Sequence, residues 1–335
     1  MKIRGFNTKD RTLIVAEIGN NHEGSFSLAK KMIKSAKNCG ADAVKFQTIN
    51  PDKLIENRNM VRLNQLKKYQ LTTSQFIKLK KYSDSLDIIF LSTPFDIKNV
   101  DNLNPLVPAF KISSGDNDYY DLIKKILLKK KPILISTGMT SLRDVSNLIK
   151  FIKKNNQFKS DIYDNLTLLH CVSMYPTDLE KSDIYKINSL KKFKCTVGYS
   201  DHTLGIEACL IAVMKGAKVI EKHFTINKNY SKFRDHKLSA NPREFKLMVK
   251  LIRNIEIILK AEGNKKNNVI DKNIDYRRSA RYSRNIKSGA KINEKSIKWV
   301  RPGNGIKNID IKKIIGKKLR LNVLENQLIE LKHLF

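Results

Sequence analysis

A (β/α)8 barrel of the TIM type, followed by a small β-rich domain, is the fold this 335-residue sequence predicts. Three observations predict it. Short β-branched runs recur eight times before residue 263, amphipathic helical stretches separate them, and polar residues gather where the runs end. A doubly wound open sheet is the alternative architecture. It would carry a glycine-rich phosphate turn after its first strand, and the segment Gly19–Gly24 lacks that spacing.

The eight runs are Thr12–Ile18, Ala43–Thr48, Ile88–Thr93, Ala109–Ser113, Pro132–Thr137, Leu166–Cys171, Cys195–Ser200 and Ala217–Phe224. Between them the apolar spacing becomes helical. Val145, Leu148, Ile149 and Ile152 fall at i, i+3, i+4 and i+7, as do Ala29, Met32, Ile33 and Ala36. A last long helix opens at Asn241, with a proline at its first position and Glu244 three residues after the cap. The barrel is assigned to residues 1–263. Residues 264–276, polar and rich in Lys and Asn, read as a linker, and residues 277–335, where short apolar runs alternate with turns, as a second domain. No internal repeat is evident.

Lysine and arginine total 65 against 32 acids, a net charge of +33. The lysines are spread through most helical stretches, and no stripe interleaves them with stacking aromatics. Specific nucleic-acid binding is therefore not expected, whereas a basic field still draws in an anionic substrate. No run approaches the roughly 20 apolar residues of a membrane span. The N-terminus has no apolar signal core, so a cytoplasmic protein is expected. Cys39, Cys171, Cys195 and Cys209 show neither CxxC nor zinc spacing and read as reduced, buried thiols.

In a barrel the active site lies at the C-terminal ends of the strands. The polar residues there are Glu17, Lys45 and Gln47, Ser92 and Thr93, Lys111 and Ser114, Ser136 and Thr137, His170, Ser200 and His202, and His223. His202 and His223 follow the last two strands, neighbours in a closed barrel. Two neutral imidazoles with open positions suit a divalent metal, while the plain alternative is that each satisfies a core hydrogen bond. Lys45 and Lys111 interrupt apolar strands, and an inward lysine costs desolvation unless an anion meets it. A phosphate or carboxylate clamp is the favoured reading; a Schiff-base lysine and a lysine extending to the rim are the others. Ser92-Thr93-Pro94, Ser113-Ser114-Gly115 and Ser136-Thr137-Gly138 end strands with hydroxyls and free N–H groups that can cradle phosphate oxygens. Glu17 and Asp235 are candidate acid–base carboxylates.

Eight segments in this order and spacing resemble the N-acetylneuraminate (sialic acid) synthase family over nearly the whole chain. They begin at Ala16, Ala41, Phe90, Phe110, Leu169, Gly198, Glu221 and Arg301, the last reading Arg301-Pro-Gly-Asn-Gly. The resemblance implies a barrel followed by an antifreeze-like (SAF) domain in a domain-swapped homodimer. It implies a transferase that condenses phosphoenolpyruvate with N-acetylmannosamine, with C–O cleavage. His202 and His223 would hold the metal, Mn2+ or Mg2+. Lys45, Thr93, Lys111, Ser114, Ser136 and Ser200 would surround phosphoenolpyruvate. Glu17, Asp116, Tyr175 and Asp235 would face the sugar or the attacking water, and Arg301 of the other protomer the N-acyl group. Asp116 stands where other members have Glu, and Ser173 where some have Asn; both lie on the acceptor side. The Arg234–Ser239 context favours N-acetylmannosamine. Legionaminic and pseudaminic acid synthases, which use 2,4-diacetamido-trideoxyhexoses, are the neighbouring reading, and an inactive basic scaffold or nucleic-acid-binding barrel is the reading of another class.

Overall fold

The computed structural model describes residues 1–156, 162–263 and 274–335, so most of the expected linker lies outside the described residues. The chain divides into two compact units, Met1–Ala261 and Glu262–Phe335.

The first unit opens with a two-residue antiparallel pair, β1 (Lys2–Ile3) with β2 (Phe6–Asn7). Eight parallel strands follow: β3 (Leu13–Gly19), β4 (Ala43–Thr48), β5 (Ile89–Pro94), β6 (Phe110–Ile112), β7 (Ile133–Ser136), β8 (Leu166–Cys171), β9 (Thr196–Asp201) and β10 (Val219–His223). Their order is β5-β4-β3-β10-β9-β8-β7-β6, and the end strands β5 and β6 lie side by side, so the sheet is a near-closed barrel. All eight runs read from the sequence are strands, within two residues at each end.

Strand alternation sorts the residues into two cores. Ile14, Ala16, Ile18, Val44, Phe46, Phe90 and Ile220 face outward against the helices. Leu13, Val15, Ala43, Ile89, Leu91, Ala109, Leu134, Leu169 and Val219 fill the barrel interior, where Met1, Ile3 and Phe6 join them. At Gly198 an added Cβ would fall 2.5 Å from both Leu169 Cδ2 and the Val219 carbonyl oxygen. Only a bare backbone lets the interior layer close there.

Side-chain caps begin the helices, among them the one expected at Asn241. Ser25 caps α1 (Phe26–Asn38) by accepting from the Leu28 N–H, and Ser141 forms a capping box with Asp144 on α2 (Leu142–Lys154). Asn241 and Glu244 cap each other's N–H groups at the start of α3 (Pro242–Gly263). Cys39, Cys171 and Cys209 are buried free thiols, but Cys195 is only half-buried. Among the described residues no helix is long and apolar enough to cross a membrane.

In the second unit β11 (Ser279–Tyr282) pairs antiparallel with β12 (Ile297–Val300). Isolated bridges such as Ile286 to Val323 and Leu319 to Leu334 extend the β character over a core of Ala280, Tyr282, Ile292, Ile314 and Ile329.

Candidate active site

The interior is apolar toward the N-terminal ends of the strands and becomes polar over their last two inward positions. Glu17, Lys45, Thr93, Lys111, Ser136, Ser200 and Glu221 are all under 6 % exposed. The two lysines share one partner. Glu221 Oε2 lies 3.7 Å from Lys45 Nζ and its Oε1 3.7 Å from Lys111 Nζ, while Ser200 Oγ donates to Oε1 at 2.9 Å. Lys45 also donates to Thr93 Oγ1 at 3.1 Å and pairs with Glu17 at 2.8 Å. Lys111 donates to Ser136 Oγ at 2.7 Å. The expected anions are thus supplied by the protein itself.

Charge in this floor is close to balanced, and burial sets which groups hold it. Burial pushes the Glu17 carboxyl up to about 7, against the pull of Lys45 and with added repulsion from Glu221. Glu221 is buried too, yet Lys111 and Lys45 outweigh burial and hold it below the usual carboxylate range. Burial works against the Lys45 charge, but Glu17 and Glu221 more than offset it and raise its pKa. Lys111 is lowered by burial, only partly countered by Glu221. Protonation of Glu17 removes one of the two carboxylates that face the lysines, which favours an incoming anion.

His202 and His223 stand above this floor with ring centroids 5.4 Å apart. His202 Nδ1 is 2.8 Å from the Val172 carbonyl oxygen, which fixes the proton on Nδ1 and leaves Nε2 a lone pair. His223 Nδ1 is buried without a partner. Burial, then the neighbouring His202, hold His223 well below the ordinary histidine range, so its ring is neutral. Two such nitrogens fit a divalent ion. Among the described residues no group of three or more His, Cys, Asp or Glu side chains is placed to hold a metal, so the pair leaves positions for other oxygens.

A pocket of about 60 Å3 joins the floor to the imidazoles and is lined by Glu17, Lys45, Thr93, Lys111, Ser114, Ser136, Tyr175, Ser200, His202 and His223. A wider cavity of about 440 Å3 shares Gln47, Phe95, Ser113, Ser114, Tyr175 and His223 with it and adds the polar residues Arg62, Ser173, Arg234 and Asp235. Ile49, Leu54, Ile55, Leu66 and Met139 add apolar wall. Tyr175 lies 4.1 Å from the His202 ring and 4.8 Å beneath the Arg234 guanidinium. Burial raises both the Tyr175 phenol and the Asp235 carboxyl. Asp116 lines neither space; it accepts from Ser113 Oγ at the rim and is raised by burial. Arg301 is an exposed residue of the second unit, its guanidinium 6.0 Å over Tyr276.

The strand-end reading needs three corrections. Thr137 lines neither space and donates its hydroxyl to the Leu169 carbonyl oxygen at 3.1 Å. His170 turns outward, its Nε2 2.8 Å from the Ser182 carbonyl oxygen and its ring stacked on Tyr199. Ser92 also points outward, against Thr48 Oγ1 at 2.7 Å. Glu221 was missed as a site residue, although it is two positions before His223 and so shares its inward face. Gln47, which donates to Glu17 Oε1 at 3.2 Å, and Cys171, 3.8 Å from His202 Nδ1, belong to the same floor.

An eight-stranded parallel barrel whose mouth holds paired lysines beneath paired imidazoles defines a barrel enzyme site built for an anion. The comparisons agree with that class. Residues 32–265 match the NeuB family and residues 277–334 the SAF domain. The chain belongs to the NeuB family, a family of sialic-acid-type synthases. An uncharacterized protein of Methanocaldococcus jannaschii is 40% identical over 95% of this chain and 93% of its own length. The N,N'-diacetyllegionaminic acid synthase of Campylobacter jejuni is 37% identical over 95% of this chain and 99% of its own. The crystal structure of the N-acetylneuraminic acid synthetase of Leptospira borgpetersenii, in complex with citrate, superposes with a TM-score of 0.71 at 32% identity, covering 81% of this chain and 96% of that one.

Proposed function

We propose that this barrel condenses phosphoenolpyruvate with the open-chain form of an N-acylated hexose, releasing inorganic phosphate and a nine-carbon 2-keto acid. The observation that carries the reading is the lysine pair bridged by Glu221 directly beneath His202 and His223.

Phosphate and carboxylate oxygens of phosphoenolpyruvate take the place of the internal partners around Lys45, Lys111, Thr93, Ser114, Ser136 and Ser200. A divalent ion on His202 and His223, Mn2+ or Mg2+, would supply Lewis acidity to the sugar's carbonyl oxygen. The C2=C3 π pair of phosphoenolpyruvate forms the bond from C3 to the aldehyde carbon, the C=O π pair moves onto the aldehyde oxygen, and C2 is left cationic. Water adds to C2, the C2–O bond to phosphate breaks with its electron pair on the phosphate as the 2-keto group forms, and the water's two protons end on the new hydroxyl and on the phosphate. Glu17, with a pKa of about 7, is suited to exchanging the water's proton at this floor, and Lys45 and Lys111 hold the phosphate as charge develops on it. The metal, the domain-exchanged homodimer, the acceptor-side role of Asp116 and the hold of Arg301 on the N-acyl group enter this proposal through the family resemblance.

The acceptor is assigned to the wider cavity, where Asp235, Ser173 and Tyr175 provide the polar contacts. Its apolar residues, Ile49, Leu54, Ile55, Leu66, Phe95 and Met139, suit the methyl groups of a 2,4-diacetamido-trideoxyhexose, beside polar residues that include Gln47, Arg62 and Arg234. The full-length likeness to a diacetyllegionaminic acid synthase supports the same sugar. We therefore place it ahead of N-acetylmannosamine, which the Arg234–Ser239 context favours. Phosphate release from phosphoenolpyruvate, with Mn2+ and each sugar in turn, tests the assignment. Turnover with a diacetamido sugar that EDTA abolishes is the expected result. Turnover only with N-acetylmannosamine moves the acceptor, and no turnover with any N-acylated hexose overturns the reading.

A further inference from the structure

We propose that Lys222 and Asp201 are positioning residues that fix the two imidazoles of the metal pair in place; this rests on the metal reading given above. Each immediately precedes one histidine in the chain, and strand alternation turns them to the opposite face of the sheet, away from the pocket. Both are buried, at 1% exposure each. The ladder sets Lys222 of β10 directly opposite Asp201 of β9.

Lys222 Nζ donates to Asp201 Oδ2 at 2.6 Å and to the Thr203 carbonyl oxygen at 2.6 Å. One ammonium therefore binds the residue before His202 and the residue after it. Asp201 completes the bracket by accepting from the Thr203 N–H at 2.9 Å and the Thr203 hydroxyl at 3.2 Å. The Tyr199 hydroxyl and the Cys209 thiol donate to the same carboxylate, at 3.0 and 3.3 Å. The backbone carrying His202 is held on both sides by a residue adjacent to His223, so neither histidine shifts along its strand without breaking charge-assisted bonds.

Stability does not explain this arrangement. A buried ion pair gains little over well-packed apolar residues of the same volume, because desolvation offsets the attraction. What an apolar pair lacks is direction. Two metal-binding nitrogens need a fixed separation, and groups that orient ligands commonly change metal affinity by about 10- to 100-fold when removed.

The test uses the full chain and Mn2+ or Co2+ alone, without substrates. Wild type is titrated by calorimetry, its Co2+ complex is recorded by visible absorption, and His202→Ala serves as the null control. The variants are Lys222→Gln and the neutral pair D201N/K222M, with melting temperature recorded for each. The expected result is a folded variant whose Mn2+ affinity falls about 10-fold or more, with an altered Co2+ spectrum. A folded variant with wild-type affinity and spectrum overturns the inference. So does failure of both variants to fold, which makes the pair a determinant of folding instead. If wild type binds neither ion, the two-histidine metal site itself fails, and the inference falls with it.

Discussion

The inner pocket and the outer cavity meet at His223, Tyr175 and Ser114, yet they are built differently. Every charged group of the inner floor stands on a strand: Glu17 on β3, Lys45 on β4, Lys111 on β6 and Glu221 on β10. Each is locked by a partner on another strand. The outer cavity is walled mostly by residues beyond the strands: Ile49, Ile55, Met139 and Ser173 in connecting segments, and Leu54, Arg62, Leu66 and Arg234 on helices that follow strands. Strand-borne groups are precise because register and parity leave them one direction, whereas loops can change without disturbing the barrel. Under the proposed function, this difference assigns the bond chemistry to the strands and the choice of sugar to the segments that follow them.

Substitutions can break this division, and the largest effect should come from the imidazoles. His202→Ala or His223→Ala should lower kcat by about 10³-fold and abolish Mn2+ binding; steady-state assays paired with metal titration check both. On the floor, Lys111→Met should reduce kcat/KM for phosphoenolpyruvate by about 10²-fold with little change in the KM of the sugar. Asp235→Asn, in the outer cavity, should invert that pattern, with a loss of about 10-fold falling on the acceptor. Equal losses for both substrates in both variants would erase the distinction between the two regions. The smallest effect is expected on the apolar wall, where Ile55→Asn should shift the ratio of kcat/KM between a diacetamido sugar and N-acetylmannosamine by about 10-fold or less.

Glu17 sharpens the comparison through pH. Its carboxyl titrates near 7 in the folded protein and at about 4.5 when exposed. Between those values the folded chain holds the extra proton, so this group's contribution to stability is complete below about 4.5 and is lost as pH rises through 7. Glu17→Gln should flatten the fall in melting temperature across that window. In wild type the KM for phosphoenolpyruvate should rise above pH 7, as Glu17 becomes a second carboxylate facing the incoming anion. The KM of the sugar should change less.

The barrel was legible because its signals are local: β-branched runs, helical spacing and the cap at Asn241 all sit within a few residues of what they determine. Most of the site followed, since the C-terminal ends of barrel strands face one mouth. Parity was the weaker signal. His170 and Ser92 lie at strand ends like the site residues, but one step out of phase with Cys171 and Thr93, and they face the helices. Glu221 was overlooked because Glu-Lys beside a histidine resembles a solvated pair, whereas alternation sends Glu221 inward and Lys222 outward. The apolar wall of the outer cavity was not legible at all. Ile49, Leu66 and Met139 are far apart in sequence and meet only once the barrel closes.

The central claim is that phosphoenolpyruvate loses its phosphate at C2 on the lysine floor. Phosphoenolpyruvate carrying 18O in the bridge between C2 and phosphorus, turned over with Mn2+ and the preferred sugar, tests it most directly. The account predicts that the label leaves with inorganic phosphate, read by the isotope shift in the phosphorus NMR spectrum. Unlabelled phosphate, with the 18O kept in the sugar product, would mean attack at phosphorus and would contradict it.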